Sequence, residues 1–193
     1  MDKGKRNFAL LIGLQIGLAI TDGIMTYIGT PDLAMEGNPL VANLGLGWGA
    51  LFTANVVVIS LMGLAIYYAN VKYKRPVIAG KTFVEYFTIL FYNRPGKFIW
   101  LLYKWPKNWR PCIAVAGYLF GIVMPVARSI LIFEWVLYLT DSPFRVYYRK
   151  FKSAVPFNRV DVLVGVILYF CLFIYWLRRE YRINQSTVWR TNV

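Results

Sequence analysis

Histidine is absent from this chain of 193 residues, and with it go the commonest transition-metal ligand and the commonest general base. Zinc-dependent intramembrane proteases and most histidine-assisted nucleophile systems are thereby excluded. Cysteine is scarce: Cys112 and Cys171 lie at or inside apolar runs, support neither a disulfide framework nor a metal site, and read as small hydrophobes. Acidic residues number only 9, and charged residues make up 16% of the chain against about 25% in ordinary soluble domains. The P-loop, the G-x-S-x-G elbow and the S-x-x-K motif are missing as well. No cofactor and no metal site is expected from what remains.

What is plentiful is apolar. Hydrophobic residues reach 58%, against roughly 45–50% in soluble domains, and a soluble fold of this length cannot hide that much apolar surface. The length suits one domain. Lys and Arg total 22, which in a soluble protein would point to nucleic acid. Here almost every cation lies between long apolar runs, where basic loops hold a chain against anionic lipid and set its orientation. No signature of a nucleic-acid-binding fold accompanies them, so no such partner is expected.

The runs predict an all-α membrane protein, a single domain built as a bundle of about four transmembrane helices. A first span over 8–28 would measure about 31 Å as a helix, matching a hydrocarbon core near 30 Å. Lys3, Lys5 and Arg6 before it mimic a signal peptide, but the apolar part is too long and no A-x-A-like site closes it. A retained span is expected. The second span covers 44–69 and the last 160–177, with a tail from Arg178-Arg179. The third run, 112–139, would be about 42 Å long, so tilt or a break at Pro125 is expected. Between the second and third runs lies a basic, aromatic stretch interrupted by Arg94-Pro95-Gly96. It predicts two short interfacial helices, near 80–93 and 97–105, with Lys97, Trp100, Lys104, Trp105, Lys107, Trp109 and Arg110 facing lipid.

Counting cations orients the bundle. With four spans and the N-terminus in the cytoplasm, the inner segments hold 16 Lys and Arg and the outer ones 5. A span through 83–103 would give 12 against 7, a poorer fit to the positive-inside rule. The five outer cations, Arg145, Arg149, Lys150, Lys152 and Arg159, remain awkward. A re-entrant hairpin turning at Pro125 would return them inside, and stays open as a variant.

Charge inside a span costs about 2.5–3.5 kcal/mol and calls for a partner or a task. Asp22 and Arg128 are such charges. Gln15, Asp22 and Thr26 fall within about 40° on a helix of 100° per residue, a polar stripe that should face other helices. Asp22 lies about 21 Å from the start of its span and Arg128 about 24 Å from the start of its own, so two helices running the same way bring them level. An Asp22–Arg128 ion pair is predicted, with Asn55 and Thr53 as hydrogen-bonding neighbours. It would either pin the helices in register or carry an ion. Gly13-x-x-x-Gly17 is expected to permit close helix packing. Asp22-Gly23 is similar to the opening of the carboxylate motif of phosphatidyl-alcohol transferases, but the further aspartates needed to hold metal ions do not follow.

The loop before the second span holds Glu36, Asn38 and Pro39. Asn-Pro can simply start a turn. Taken with the first span, the arrangement Asp22-x3-Thr26-x9-Glu36-x-Asn38-Pro39-Leu40 resembles a family of small prokaryotic multi-pass membrane proteins classed as a domain of unknown function. Its marks are an intramembrane Asp, a Thr one turn later and Glu-x-Asn-Pro before the second span. The resemblance covers residues 8–69 and implies a prokaryotic cytoplasmic membrane, without an activity. Relatives often carry a lysine in the second span, where this chain offers Asn55, a departure that shifts the expected countercharge of Asp22 to Arg128.

A non-catalytic scaffold or accessory subunit is the leading functional expectation, docking its basic aromatic segment on anionic lipid headgroups or a membrane protein partner. The alternative is a small lipid- or ion-handling transporter that uses the intramembrane Asp/Arg pair, which requires a cavity reaching Asp22. An intramembrane enzyme would have only Asp22, Glu36 and nearby Lys or Tyr groups as acid and base.

Overall fold

A backbone in lipid must satisfy its own N–H and C=O groups, so long apolar runs become helices. The computed structural model describes residues 2–34, 44–80 and 82–191. Glu36, Asn38 and Pro39 lie outside the described residues. Among those described there is no strand, and four helices are long and apolar enough to cross a membrane. The chain is a multi-pass membrane protein.

Helix α1 spans Lys3–Gly29, and α2 spans Trp48–Tyr67, continued by one π-helical turn over Tyr68–Lys72. Short helices α3 (Phe83–Tyr92) and α4 (Trp100–Tyr103) lead to α5, Trp109–Leu139. After it come α6 (Phe144–Ser153), a 3-10 turn over Pro156–Asn158, and α7 (Val160–Thr191). Helix α5 lies at the centre, packed on α1, α2 and α7. Contacts give the directions. Phe8 meets Tyr67 edge to face and Tyr27 meets Trp48, so α1 and α2 are antiparallel. Gln15 and Asp22 bond to positions 120 and 128, so α1 and α5 run the same way. The near end of the bundle, where the chain begins, thus holds the end of α2 and the start of α5.

Pro125 does not break α5, which continues through it for 31 residues, about 46 Å at 1.5 Å per residue. The hairpin variant is therefore wrong. Intramembrane helices tolerate proline because neighbouring groups take up the freed carbonyls, and here the Ser129 hydroxyl donates to the Pro125 carbonyl at 2.8 Å. Close approach is provided by Gly117, where a methyl group would land on the Ala65 carbonyl, whereas a methyl at Gly13 or Gly17 would meet nothing within 4 Å. Among the described residues the Gly13-x-x-x-Gly17 spacing serves no close helix contact.

At the near end the tail expected from Arg178 is helical, α7 running on to Thr191, and its Asn184 and Gln185 hold the segment after α2. Asn184 accepts from the Ile78 N–H at 2.9 Å and donates to its carbonyl at 2.7 Å, and Gln185 donates to the Gly80 carbonyl. Helix α3, expected as an interfacial helix, packs most of its residues against protein. Its Tyr86, Phe87, Leu90 and Phe91 are fully or nearly buried, in one cluster with Ala114 and Leu119 of α5 and Trp176 and Leu177 of α7. Thr82 caps it by accepting from the Glu85 N–H, and Asn93 ends it in the left-handed region at φ 58°. The residues around α4 are the exposed ones.

Candidate functional site

At mid-bundle the Arg128 guanidinium joins three helices. Its Nη1 lies 3.3 Å from Asp22 Oδ2 on α1, and its Nη2 donates to Asn55 Oδ1 on α2 at 2.8 Å. The position follows from helix geometry, since α1 and α5 start at the same end and rise 1.5 Å per residue. Arg128 is only 8% exposed, while 21% of the Asp22 side chain is accessible. Its Nε is buried without a hydrogen-bond partner among the described residues. Gln15, also buried, turns away from this cluster and donates to the Phe120 carbonyl at 2.8 Å. Thr26 is buried on the same face of α1, and the Thr53 hydroxyl donates to the Gly49 carbonyl of its own helix. Thr53 is thus not a neighbour of the arginine.

The cluster forms the floor of a cavity of about 550 Å³, within the range of about 300–1,000 Å³ that small-molecule sites occupy. It extends towards the far end of the bundle, where α6 supplies Arg145, Tyr148, Arg149 and Lys152, and the start of α7 is flanked by Arg159 and Asp161. The sequence offered these cations only as an awkward loop. They sit on a short helix whose apolar residues Phe144, Tyr147 and Phe151 recur three and four apart and are exposed together, while Tyr148 turns inward. The signal was present at that spacing, masked by the low mean hydropathy of a ten-residue segment.

Glu134 of α5 holds α6 over the cavity. The Tyr148 hydroxyl donates to its Oε1 at 2.7 Å and the Lys152 ammonium to its Oε2. Burial, and then the hydrogen bond to the Glu134 carboxylate, pushes the Tyr148 hydroxyl above the ordinary tyrosine range, so it remains a donor. Arg159 grips Asp161 with two bonds of 2.9 and 2.8 Å, and Arg145 bonds Asp141 while its guanidinium lies 4.8 Å from the Tyr138 ring centre. Among the described residues every carboxylate on the cavity wall is thus matched by its own cation: Asp22 by Arg128, Glu134 by Lys152, Asp161 by Arg159. Arg145 is paired with Asp141 outside the wall, and Arg149 forms no ion pair among the described residues.

The basic aromatic residues form a separate surface at the near end. Lys97, Lys107 and Arg110 are exposed, and Trp105 and Trp109 are 82% and 54% exposed. Trp100 is half-buried between cations, with the Lys104 ammonium 3.6 Å and the Arg94 guanidinium 5.0 Å from its ring centre. Among the described residues no group of three or more acidic or cysteine side chains is placed to hold a metal ion. No family model, no curated protein and no solved structure matches this chain.

Proposed function

We propose that this chain is a lipid- or ion-handling membrane protein that takes an anionic group, a lipid headgroup or a small anion, into the cavity above Arg128. One observation supports it above all: the cavity runs from the Asp22–Arg128–Asn55 cluster to a cationic wall on α6, with each wall carboxylate already neutralised. Among the described residues a cation would meet no carboxylate there without its own cation, whereas an anion meets Arg149, which forms no ion pair among those residues. The unmatched Nε of Arg128 points the same way, because a buried donor without an acceptor costs about 1–3 kcal/mol.

Orientation supports it too. The positive-inside rule puts the N-terminus and the near end on the cytoplasmic side and α6 on the outer face of the membrane, which the resemblance over residues 8–69 implies is a prokaryotic plasma membrane. Four of the five outer cations that the rule disfavours, Arg145, Arg149, Lys152 and Arg159, line the cavity. A charge kept where topology disfavours it has a local use.

Titrating the detergent-solubilised protein with short-chain phosphatidic acid and with inorganic phosphate tests the proposal. Arg149→Gln, an exposed position, should weaken phosphatidic acid binding by about tenfold, the size expected for one charge-assisted hydrogen bond. Competition by inorganic phosphate would identify the ligand as a small anion, and its failure to compete a lipid headgroup. Equal binding of a zwitterionic short-chain lipid, or indifference to loss of Arg149, would refute it.

The exposure of Trp105, Trp109, Lys97 and Lys107 supports a second role, docking of the near end on anionic headgroups or a membrane protein partner. Salt-sensitive binding to anionic vesicles, lost when Lys97, Lys104 and Lys107 are neutralised together, is the expected result. Vesicle binding unaffected by salt and by that variant would remove this role.

A further inference from the structure

A second, smaller cavity, about 300 Å³, lies at the near end, some 12 residues along α1 from the first. Five segments build it: Lys3 and Asn7 of α1, Asn70 in the π-helical turn, Tyr73 and Arg75 just after it, Tyr118 of α5, and Arg179 and Glu180 of α7. Glu180 is 2% exposed and both its oxygens accept from Arg75 Nε, at 3.0 and 2.8 Å. Its charge is thereby answered within the protein. Lys3 and Arg179 are exposed on the rim, and neither forms an ion pair among the described residues.

The turn at Tyr68–Lys72 is unusual for a reason the packing exposes. One wide turn, closed by the Tyr73 N–H on the Tyr68 carbonyl at 2.7 Å, brings Asn70 and Tyr73 to one cavity. Such π-helical turns cost regular hydrogen bonding and recur at functional sites. The Tyr73 hydroxyl is buried with no hydrogen-bond partner among the described residues. Burial, and then the nearby Glu180 charge, holds its proton on well beyond neutral pH, so it presents a donor. Three cations, one neutralised acid and a donor without an acceptor among the described residues make a site suited to an anion.

We propose that this near-end pocket is a phosphate site, which takes a phosphate-bearing anion between Lys3, Tyr73 and Arg179, with Arg75 held in place by Glu180. Glu180 lies 20 residues beyond Val160, about 30 Å along α7, which is the depth at which lipid phosphates begin on that side. The site is separate from the far-end cavity and stands whether or not that cavity binds anything.

The test uses the full chain in neutral detergent, with short-chain phosphatidylglycerol and glycerol phosphate as probes and bound anions counted by native mass spectrometry. Lys3→Gln combined with Arg179→Gln, both at exposed positions, should weaken binding at this site about tenfold or more, and Tyr73→Phe should weaken it severalfold with the ring retained. Both effects should persist in an Arg149→Gln background, in which the far-end cavity is impaired. Retention of the lipid probe alone assigns the phosphate to a headgroup, and retention of both probes shows that a soluble phosphate suffices. Affinity unchanged within twofold in both variants, or no bound anion with either probe, overturns the proposal.

Discussion

Replacing Asp22 by Asn removes one charge from the mid-bundle cluster and changes little else. Truncating one partner of a buried ion pair costs about 3–5 kcal/mol, because the other charge is left uncompensated. Two features of this site lower the figure. A fifth of the Asp22 side chain is accessible from the cavity, and Asn55 continues to accept from Arg128 Nη2 at 2.8 Å. The expected loss is therefore about 2–3 kcal/mol. In a chain of this length each kcal/mol shifts the melting temperature by about 2–4 °C, which predicts a drop of about 4–12 °C in detergent. Adding Arg128→Gln should recover part of it, with a coupling of about 1 kcal/mol or more in the double-mutant cycle. A change below about 0.5 kcal/mol for Asp22→Asn, the range of an inert surface substitution, would refute the claim that the pair stabilises the bundle.

Gly117→Ala should destabilise by about 1–3 kcal/mol, since its methyl meets the Ala65 carbonyl, while Gly13→Ala should be neutral or slightly stabilising; thermal unfolding separates them. Glu180→Gln weakens the hold on Arg75, so hydrogen exchange over 75–80 should quicken while that over α1 stays unchanged. Glu134→Gln loosens α6 at both Tyr148 and Lys152, and a spin label at Arg149 should then report broader distances to α5. Trp105→Ala, at an exposed position, should leave the melting temperature within about 1 °C and weaken vesicle docking alone.

How much of this architecture was legible depended on whether a signal was periodic or positional. The four apolar runs were legible because length and hydropathy are enough for helices that have no alternative in lipid. Pro125 misled, because proline's helix-breaking rule is calibrated in water, where freed carbonyls hydrate and the chain can turn; inside a bundle the helix simply continues. Helix α3 misled for the opposite reason. Phe83–Tyr92 has the aromatic richness of an interfacial anchor, yet its ten residues pack between α5 and α7, and composition cannot say which side of an aromatic helix meets lipid and which meets protein. The far-end helix α6 fell below any hydropathy threshold, although Phe144, Tyr147 and Phe151 spelled out its exposed stripe.

The cluster itself shows how far depth alone can guide a pairing. Asp22 and Arg128 were paired by counting residues from two span starts, and the structure brings them within 3.3 Å. The loop motif of Glu36, Asn38 and Pro39 lies outside the described residues. The same cluster joins three helices and floors the cavity, so pinning the register and carrying an ion are compatible with one geometry. They are separable by experiment because they use different residues at their edges. Asp22 acts on the pairing of three helices, and its loss must appear in stability whatever the cavity binds. Arg149 lies exposed on α6 with no ion pair among the described residues, so its loss should leave stability unchanged and appear in ligand affinity alone. A variant pair that reversed this pattern, with Arg149→Gln unfolding the bundle and Asp22→Asn altering only affinity, would mean that α6 rather than the arginine cluster holds the helices together.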